Sequence, residues 1–150
     1  MRALWTIGFA EGQTIVEEIV AAAVVENSPV SAAVVDAAGA LVCFARMDGA
    51  PSFSAGLAQS KAVSSVTFGR PTSEFESAIS GRPVFAIGLL QHGSWYAGRG
   101  GAPIVVDGEV VGAIGVSGNT GEREDELAKE AAARAAVAIG AGDTEAHRRR

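Results

Sequence analysis

The stretch Ile104-Val105-Val106-Asp107-Gly108-Glu109-Val110-Val111-Gly112-Ala113-Ile114-Gly115-Val116 decides the fold of this 150-residue chain. Two runs rich in β-branched residues surround Asp107-Gly108, a dipeptide that suits the type I′ turn of a two-residue β-hairpin. The two strands of a hairpin are antiparallel neighbours. The stretch therefore predicts an antiparallel sheet built partly from the second half of the chain.

Shorter signals extend this sheet and add helices to it. Residues 30–36 and 40–47 are strand-like, and the turn Ala37-Ala38-Gly39 between them predicts a second hairpin. Helices are predicted from Thr14 to about Asn27-Ser28-Pro29, over 52–68, in one or two turns over 73–79, and over 122–139. The apolar run 84–90 fits either a strand or a helix. The predicted fold class is α+β, with helices packed on a mainly antiparallel sheet.

The composition fits one domain with a small-residue, aliphatic core. Hydrophobic residues make up 48% of the chain and aromatic residues only 6%, while 19 residues are glycine. A length of 150 residues is typical of a single domain. We therefore expect residues 1–150 to form one domain, with a flexible C-terminal tail over about 141–150.

Charge and cysteine content exclude several classes of function. Twelve Lys and Arg against 17 Asp and Glu give a net charge of −5, which argues against a nucleic-acid partner. The single cysteine excludes an internal disulfide, and with two histidines it leaves no expected metal site. No window approaches 18 apolar residues, so we expect no membrane span and a cytoplasmic location.

Four blocks along the chain resemble one known family. They are Arg46-Met47-Asp48-Gly49-Ala50, Lys61-Ala62 ahead of Arg70-Pro71-Thr72, Gly100-Gly101-Ala102-Pro103, and Gly112-Ala113-Ile114-Gly115-Val116-Ser117-Gly118. In this order they resemble the GlcG/HbpS-like haem-binding, or haem-degrading, domain that also occurs at the C-terminus of PduO-type proteins. The resemblance covers about residues 32–136. It implies a profilin-like antiparallel sheet flanked by helices, here with an extra N-terminal helix, and assembly into dimers or larger rings such as octamers.

The first candidate binding residues are Arg46, Asp48 and Lys61. Arg46 and Asp48 are two apart at a strand end, so their side chains share a face and could recognise an anion together. Alternatively, Asp48 caps the following turn and Arg46 is solvated. Lys61 lies among small helical residues, where it could bind a carboxylate or act as a base. Alternatively, Lys61 is a surface residue whose aliphatic stem lies along the helix.

The second candidate group lies in the glycine-rich loop before residue 103. His92 could be a haem iron ligand or a general acid or base, with Trp95 and Tyr96 against the porphyrin, although the family does not supply this histidine as a ligand. An exposed loop histidine is the alternative. Gly100 and Gly101 offer backbone N–H groups to a bound anion. We expect the pocket where Arg46, Lys61 and the loop 98–101 meet.

Two functions fit the sequence, besides the third possibility of a purely structural subunit. The first is an oligomeric protein that binds a small anionic ligand, with haem or another tetrapyrrole implied by the family resemblance. The second is a cofactor-independent lyase, isomerase or hydrolase acting on a small carboxylate or carbonyl compound, with Lys61, Asp48 or His92 moving protons. Alanine-rich helix faces around 55–65 and 131–138 add an expectation of close contact between subunits.

Overall fold

The computed structural model of the chain describes residues 4–148. Nine elements follow one another in this part of the chain: α1 Phe9–Val25, β1 Ser31–Asp36, β2 Leu41–Arg46, α2 Ser54–Phe68, α3 Thr72–Ile79, α4 Pro83–Leu90, β3 Gly101–Val106, β4 Glu109–Ser117 and α5 Gly121–Arg148. Within these residues, no helix combines the length and apolar character needed to cross a bilayer.

The four strands form one antiparallel sheet in the order β2-β1-β4-β3. Both predicted hairpins are present, and the turn between β3 and β4 has positive φ angles of 50° at Asp107 and 77° at Gly108, as a type I′ turn requires. The two hairpins meet through β1 and β4, where Val34 lies opposite Ile114. The α+β prediction is confirmed.

Helices cover both faces of the sheet. On one face, α1 and α5 pack through Ile19 and Leu127 against inward side chains such as Val34 and Ile114. On the other face, α2 packs through Ala58 and Ala62 against Ala33, Val35 and Ala113. Neighbouring residues of β1 thus serve opposite cores, because successive side chains of a strand point to opposite faces.

The small residues of α2 allow this helix to lie directly on the strand backbone. A Cβ atom built on Gly115 of β4 would lie 1.9 Å from the Ala58 carbonyl oxygen and 2.7 Å from the Ala62 nitrogen. The alanines of α5 that are buried, Ala128, Ala131, Ala132 and Ala135, likewise belong to the core of the same chain. The alanine-rich faces are therefore used inside the subunit, and they supply no argument for contact between subunits.

Two predicted helix boundaries were wrong, and the structure assigns one run whose type the sequence left open. Helix α1 begins at Phe9 because Gly8 donates its N–H to the Glu11 carboxylate over 3.0 Å, while the Thr14 hydroxyl bonds back to the Ala10 carbonyl inside the helix. The ambiguous run 84–90 is helix α4, which Pro83 opens at a position that tolerates proline. Helix α5 continues to Arg148, whereas its predicted end was Ile139. Of the predicted C-terminal tail, residues 149 and 150 lie outside the described residues.

Helix α4 is unusual because it is apolar and yet stands outside both cores. Every residue of α4 is at least partly exposed, and its exposed large side chains are Val84, Phe85, Ile87 and Leu90. A helix that is apolar on all sides is normally buried. The chain by itself therefore leaves an apolar surface on this helix uncovered.

Candidate functional site

A cleft of about 690 Å³ lies where the end of β4 meets the start of α5. Its walls come from α2, from the loop before β3 and from the β4–α5 turn, and its central lining residues are Leu57, Lys61, Tyr96, Arg99, Asn119 and Glu122. The volume falls within the range of small-molecule pockets. Segments that are far apart in sequence therefore form one concave site.

Lys61 is the most buried charged group of this cleft. Its side chain is 3% exposed, and Nζ lies 2.7 Å from Oε2 of Glu124. The same ammonium donates a second hydrogen bond, 3.0 Å long, to the carbonyl oxygen of Val116. Because Glu124 compensates its charge, Lys61 forms a neutral buried ion pair here and not a free cation.

The other oxygen of Glu124 occupies the backbone site that follows β4. Oε1 accepts hydrogen bonds from the N–H groups of Gly118, at 2.8 Å, and Asn119, at 3.1 Å. Backbone N–H groups of this kind can bind a carboxylate, and here the chain itself supplies that carboxylate. Sequence reasoning missed Glu124 because it appears as one of several acidic residues at the start of the last helix.

Tyr96, Gly100 and Gly101 lie beside Lys61, as the predicted site requires. The Tyr96 ring centroid is 5.4 Å from Lys61 Nζ, within the range of a cation–π contact. A Cβ atom on Gly100 would lie 3.1 Å from Nζ, and one on Gly101 would lie 2.6 Å from the Lys61 carbonyl oxygen. The two glycines therefore let the loop approach the lysine closely. Neither glycine lines the cleft, however, and the Gly101 N–H donates to the Thr72 hydroxyl over 2.8 Å, so it is not the free anion donor that the sequence predicted.

Arg99 is the second cation in the cleft, and its environment is very different from that of Lys61. Its side chain is 44% exposed and donates from Nη1 to Glu122 Oε1 over 3.1 Å, while Nε lies 4.0 Å from Glu76 Oε2. The charged side chains of the cleft wall are therefore two cations, Lys61 and Arg99, and three carboxylates, Glu76, Glu122 and Glu124. The cleft is therefore not the cation-rich pocket that the sequence suggested.

Arg46 and Asp48 do not line the cleft, so the predicted meeting of Arg46 with Lys61 and the loop is not found there. The Arg46 guanidinium donates to the Ala50 carbonyl oxygen over 3.0 Å, within its own turn. Asp48 is exposed. Among the described residues, no ion pair joins the two, and the local arrangement resembles the solvated alternative.

His92 and Trp95 also lie outside the lining of the cleft. His92 follows the end of α4 and is exposed. Trp95 lies edge-on to Phe68, with ring centroids 5.4 Å apart, and Phe68 stacks on Phe75 at 4.6 Å. The tryptophan therefore helps to hold the loop against α2 and α3. Of the two aromatic residues predicted for the site, Tyr96 alone lines the cleft.

The pKa shifts of the described residues concern a contact outside this cleft. Hydrogen bonds from the Arg123 guanidinium lower the pKa of Glu26, and the same contact raises the pKa of Arg123. This pair joins the end of α1 to the first turn of α5. Among the side chains that the structure describes, no group of three or more His, Cys, Asp or Glu could hold a metal ion.

The fold and the site together define a class of α+β domain, in which a four-stranded antiparallel sheet carries a small-molecule-sized cleft beside a buried ion pair. The model of the family described as "Haem degrading protein HbpS-like" matches residues 7–133 of the chain. The chain belongs to this HbpS-like family. The resemblance seen in the sequence is confirmed.

Individual relatives match most of the chain. An uncharacterised 15.0 kDa protein from the dhaT-dhaS intergenic region of Citrobacter freundii is 32% identical over 127 residues, which are 84% of this chain and 89% of the relative. The crystal structure of Klebsiella pneumoniae protein ORFY has a TM-score of 0.84 and 29% identity, covering 92% of this chain and 95% of that one. The crystal structure of a PduOC:heme complex has a TM-score of 0.77 and 26% identity, covering 85% and 94% of the two chains.

Proposed function

We propose that this protein binds haem, or another tetrapyrrole, in the cleft beside Lys61. The observation that carries the proposal is the likeness to a solved PduOC:heme complex, together with membership of a family described as haem degrading. When bound, haem would supply an iron centre for electron transfer or oxygen chemistry. The residues of this chain would bind the porphyrin, orient it and limit the access of water.

The residues of the cleft meet the needs of such a ligand. A porphyrin needs apolar walls, polar groups for its propionates and a ligand for its iron. Leu57 and the exposed ring of Phe53 provide an apolar wall, and Arg99 provides a cation at the rim. The Tyr96 phenol is the lining group able to bind iron, since tyrosine serves as a haem ligand in other proteins. His92 lies outside the lining, so we propose Tyr96 as the iron ligand in preference to it.

A haem titration tests both parts of this proposal. We expect stoichiometric haem to give the wild-type protein a shifted Soret band, and Tyr96→Phe to change the position of that band because the phenol oxygen is lost. His92→Ala is the matched control and should leave the spectrum unchanged. Absence of any Soret shift in the wild type would refute haem binding. A spectral change in His92→Ala alone would instead assign the iron to His92.

The alternative is a cofactor-independent enzyme that acts on a small carboxylate or carbonyl compound. Lys61 is the residue that favours it, because this buried ammonium lines the cleft beside Tyr96, although a substrate oxygen would share it with Glu124 and the Val116 carbonyl. The other proton-transfer residues predicted from the sequence, Asp48 and His92, do not line the cleft. Turnover of such compounds by haem-free protein, without a Soret shift on haem addition, would favour this alternative.

We also propose that the protein forms a homo-oligomer and that helix α4 contributes to the contact. The exposed side chains Val84, Phe85, Ile87 and Leu90 form an apolar surface that the described chain leaves uncovered. No charged residue lies between Pro83 and Leu90, and the nearest cation recorded against this surface is Arg82, whose guanidinium carbon lies 4.2 Å from the Phe85 ring centroid. The family resemblance, which implies dimers and larger rings, makes a second copy of this chain the partner that we propose.

Light scattering after size exclusion tests this oligomer. We expect the wild type to have a multiple of the monomer mass at micromolar concentration, and Ile87→Glu to lower that mass by placing a charge in an apolar contact. Val25→Glu, at an exposed apolar position at the end of α1, is the control and should keep the wild-type mass. A monomeric wild type would contradict the proposal. An oligomer that Ile87→Glu leaves intact would contradict the role of α4.

A further inference from the structure

We infer that Arg99 binds the ligand's carboxylate at the rim of the cleft and exchanges its ion pair with Glu122 for that group. The inference rests on the proposed function and deepens it, because it states how the acid groups of a haem-like ligand are recognised. The sequence pointed to Arg46 and Lys61 for this task. The geometry points to Arg99.

The other two cations are committed elsewhere. Lys61 already pairs with Glu124 at 2.7 Å, and it donates to the Val116 carbonyl in a site that is almost closed to water. A second carboxylate there would have to compete with Glu124, which is also held by two backbone N–H groups. Arg46 bonds its own turn and does not line the cleft.

Arg99 is held by partners that a ligand can replace. Glu122 is 74% exposed and Glu76 is 49% exposed, and Nε of Arg99 is 4.0 Å from Glu76. Ion pairs as exposed as these contribute little, since water solvates both partners when they separate. A guanidinium presents two parallel N–H donors to a carboxylate, so a bound acid group can take the place of Glu122 without loss of geometry.

The backbone beside Arg99 is fixed even though the end of its side chain is exposed. The Gly100 carbonyl accepts a hydrogen bond of 2.8 Å from the Val116 N–H, and the Tyr96 N–H donates to the Ser64 hydroxyl over 2.7 Å. These bonds hold the loop on both sides of Arg99. The backbone of Arg99 is therefore already in place at the rim, so binding a ligand orders the side chain and not the loop.

The arrangement selects a ligand with an apolar body and an acid group at its edge. Phe53 and Leu57 line the same cleft as Arg99. A ligand whose flat apolar ring system packs against these two side chains can therefore direct its carboxylate to the rim. A neutral apolar molecule would leave the pair of Arg99 and Glu122 undisturbed and would gain nothing from the arginine. Esterification of the ligand's acids should therefore remove the contribution of Arg99.

Haem and haem dimethyl ester, in which both propionates are esterified, are the two probes. We expect Arg99→Ala to weaken haem binding about tenfold or more, because it removes a charge-assisted hydrogen bond. The same variant should bind the ester as the wild type does. Glu122→Gln should bind haem several-fold more tightly, since it removes the competing carboxylate. Arg134→Ala is the matched control, because Arg134 forms a similarly exposed pair with Glu18 on the α1–α5 side of the molecule.

The outcomes separate this inference from the proposed function. If the wild type shows no Soret shift with haem, the proposed function fails and the inference fails with it. If the wild type binds haem but Arg99→Ala binds it equally well, the inference alone is overturned. The inference is also overturned if Arg99→Ala weakens haem and its ester by the same factor, or if Glu122→Gln weakens haem binding. Equal losses in Arg99→Ala and Arg134→Ala would show a general effect of charge and would overturn it too.

Discussion

Replacing Gly115 with alanine should destabilise the protein by about 3 kcal/mol or more, at the upper end of the cost of overpacking a core. The new Cβ atom would lie 1.9 Å from the Ala58 carbonyl oxygen and 2.7 Å from the Ala62 nitrogen. Both are backbone atoms of α2, so no side-chain rotation can relieve the clash. Either the whole helix moves away from β4 or the strand bends, and both changes disturb the packing of Ala58 and Ala62 on the sheet.

Urea unfolding of Gly115→Ala and Gly56→Ala measures this effect with a matched control. Gly56 lies in α2, and a Cβ atom there would meet nothing within 4 Å. Because alanine favours a helix over glycine, Gly56→Ala should be neutral or more stable by up to about 1 kcal/mol. A Gly115→Ala variant as stable as the wild type would show that α2 does not pack directly on β4.

Removing one partner of the buried ion pair between Lys61 and Glu124 should also destabilise the protein strongly. Glu124→Ala removes the counter-charge of the Lys61 ammonium, whose side chain is only 3% exposed. It also removes the acceptor of the Gly118 and Asn119 N–H groups. Breaking a buried pair in this way costs about 3–5 kcal/mol. The same range applies to Lys61→Met, which leaves Glu124 as the unpaired charge.

A double-mutant cycle with thermal or urea unfolding measures this coupling. The double variant Lys61→Met with Glu124→Ala should be more stable than the sum of the two single losses predicts, since it buries no unpaired charge. Glu18→Ala is the control, because its exposed pair with Arg134 is worth only about 0–1 kcal/mol. Additive losses across the cycle would mean that the two residues do not interact in solution.

The elements that were predicted correctly carry their information locally. The Asp107-Gly108 turn requires two positive φ angles, a conformation that these residue types accept and most others resist. In the first helix, the spacing of Ile15 and Ile19 indicates the buried face directly, because the helical period returns both to one side. The small residues of α2 correctly indicated a close approach, although they did not say that the partner is the sheet.

The elements that were left open or predicted wrongly have signals that are ambiguous or that depend on other residues. Residues 84–90 are apolar throughout, so they have no period that could separate a helix from a strand. The start of α1 depends on a hydrogen bond from the Gly8 N–H to the Glu11 carboxylate. Because glycine has no capping side chain, the sequence does not mark Gly8 as the residue that precedes the helix. The alanine-rich faces suggested contact between subunits, but an alanine at a helix surface does not reveal which neighbour covers it.

The sequence by itself determined the α+β class, both hairpins and the resemblance to the HbpS-like family, and it pointed to Lys61 and Tyr96, which line one cleft. Only the tertiary structure decided which charges meet. Lys61 and Glu124 are 63 positions apart in the chain, and no local period relates them. Their pairing turns the predicted binding cation into part of a neutral pair, and the loop brings Arg99 to the rim while Arg46 bonds its own turn. Turns and amphipathic faces are properties of neighbouring residues, whereas the charge of a cleft depends on which distant side chains the completed fold brings within a few ångströms of one another.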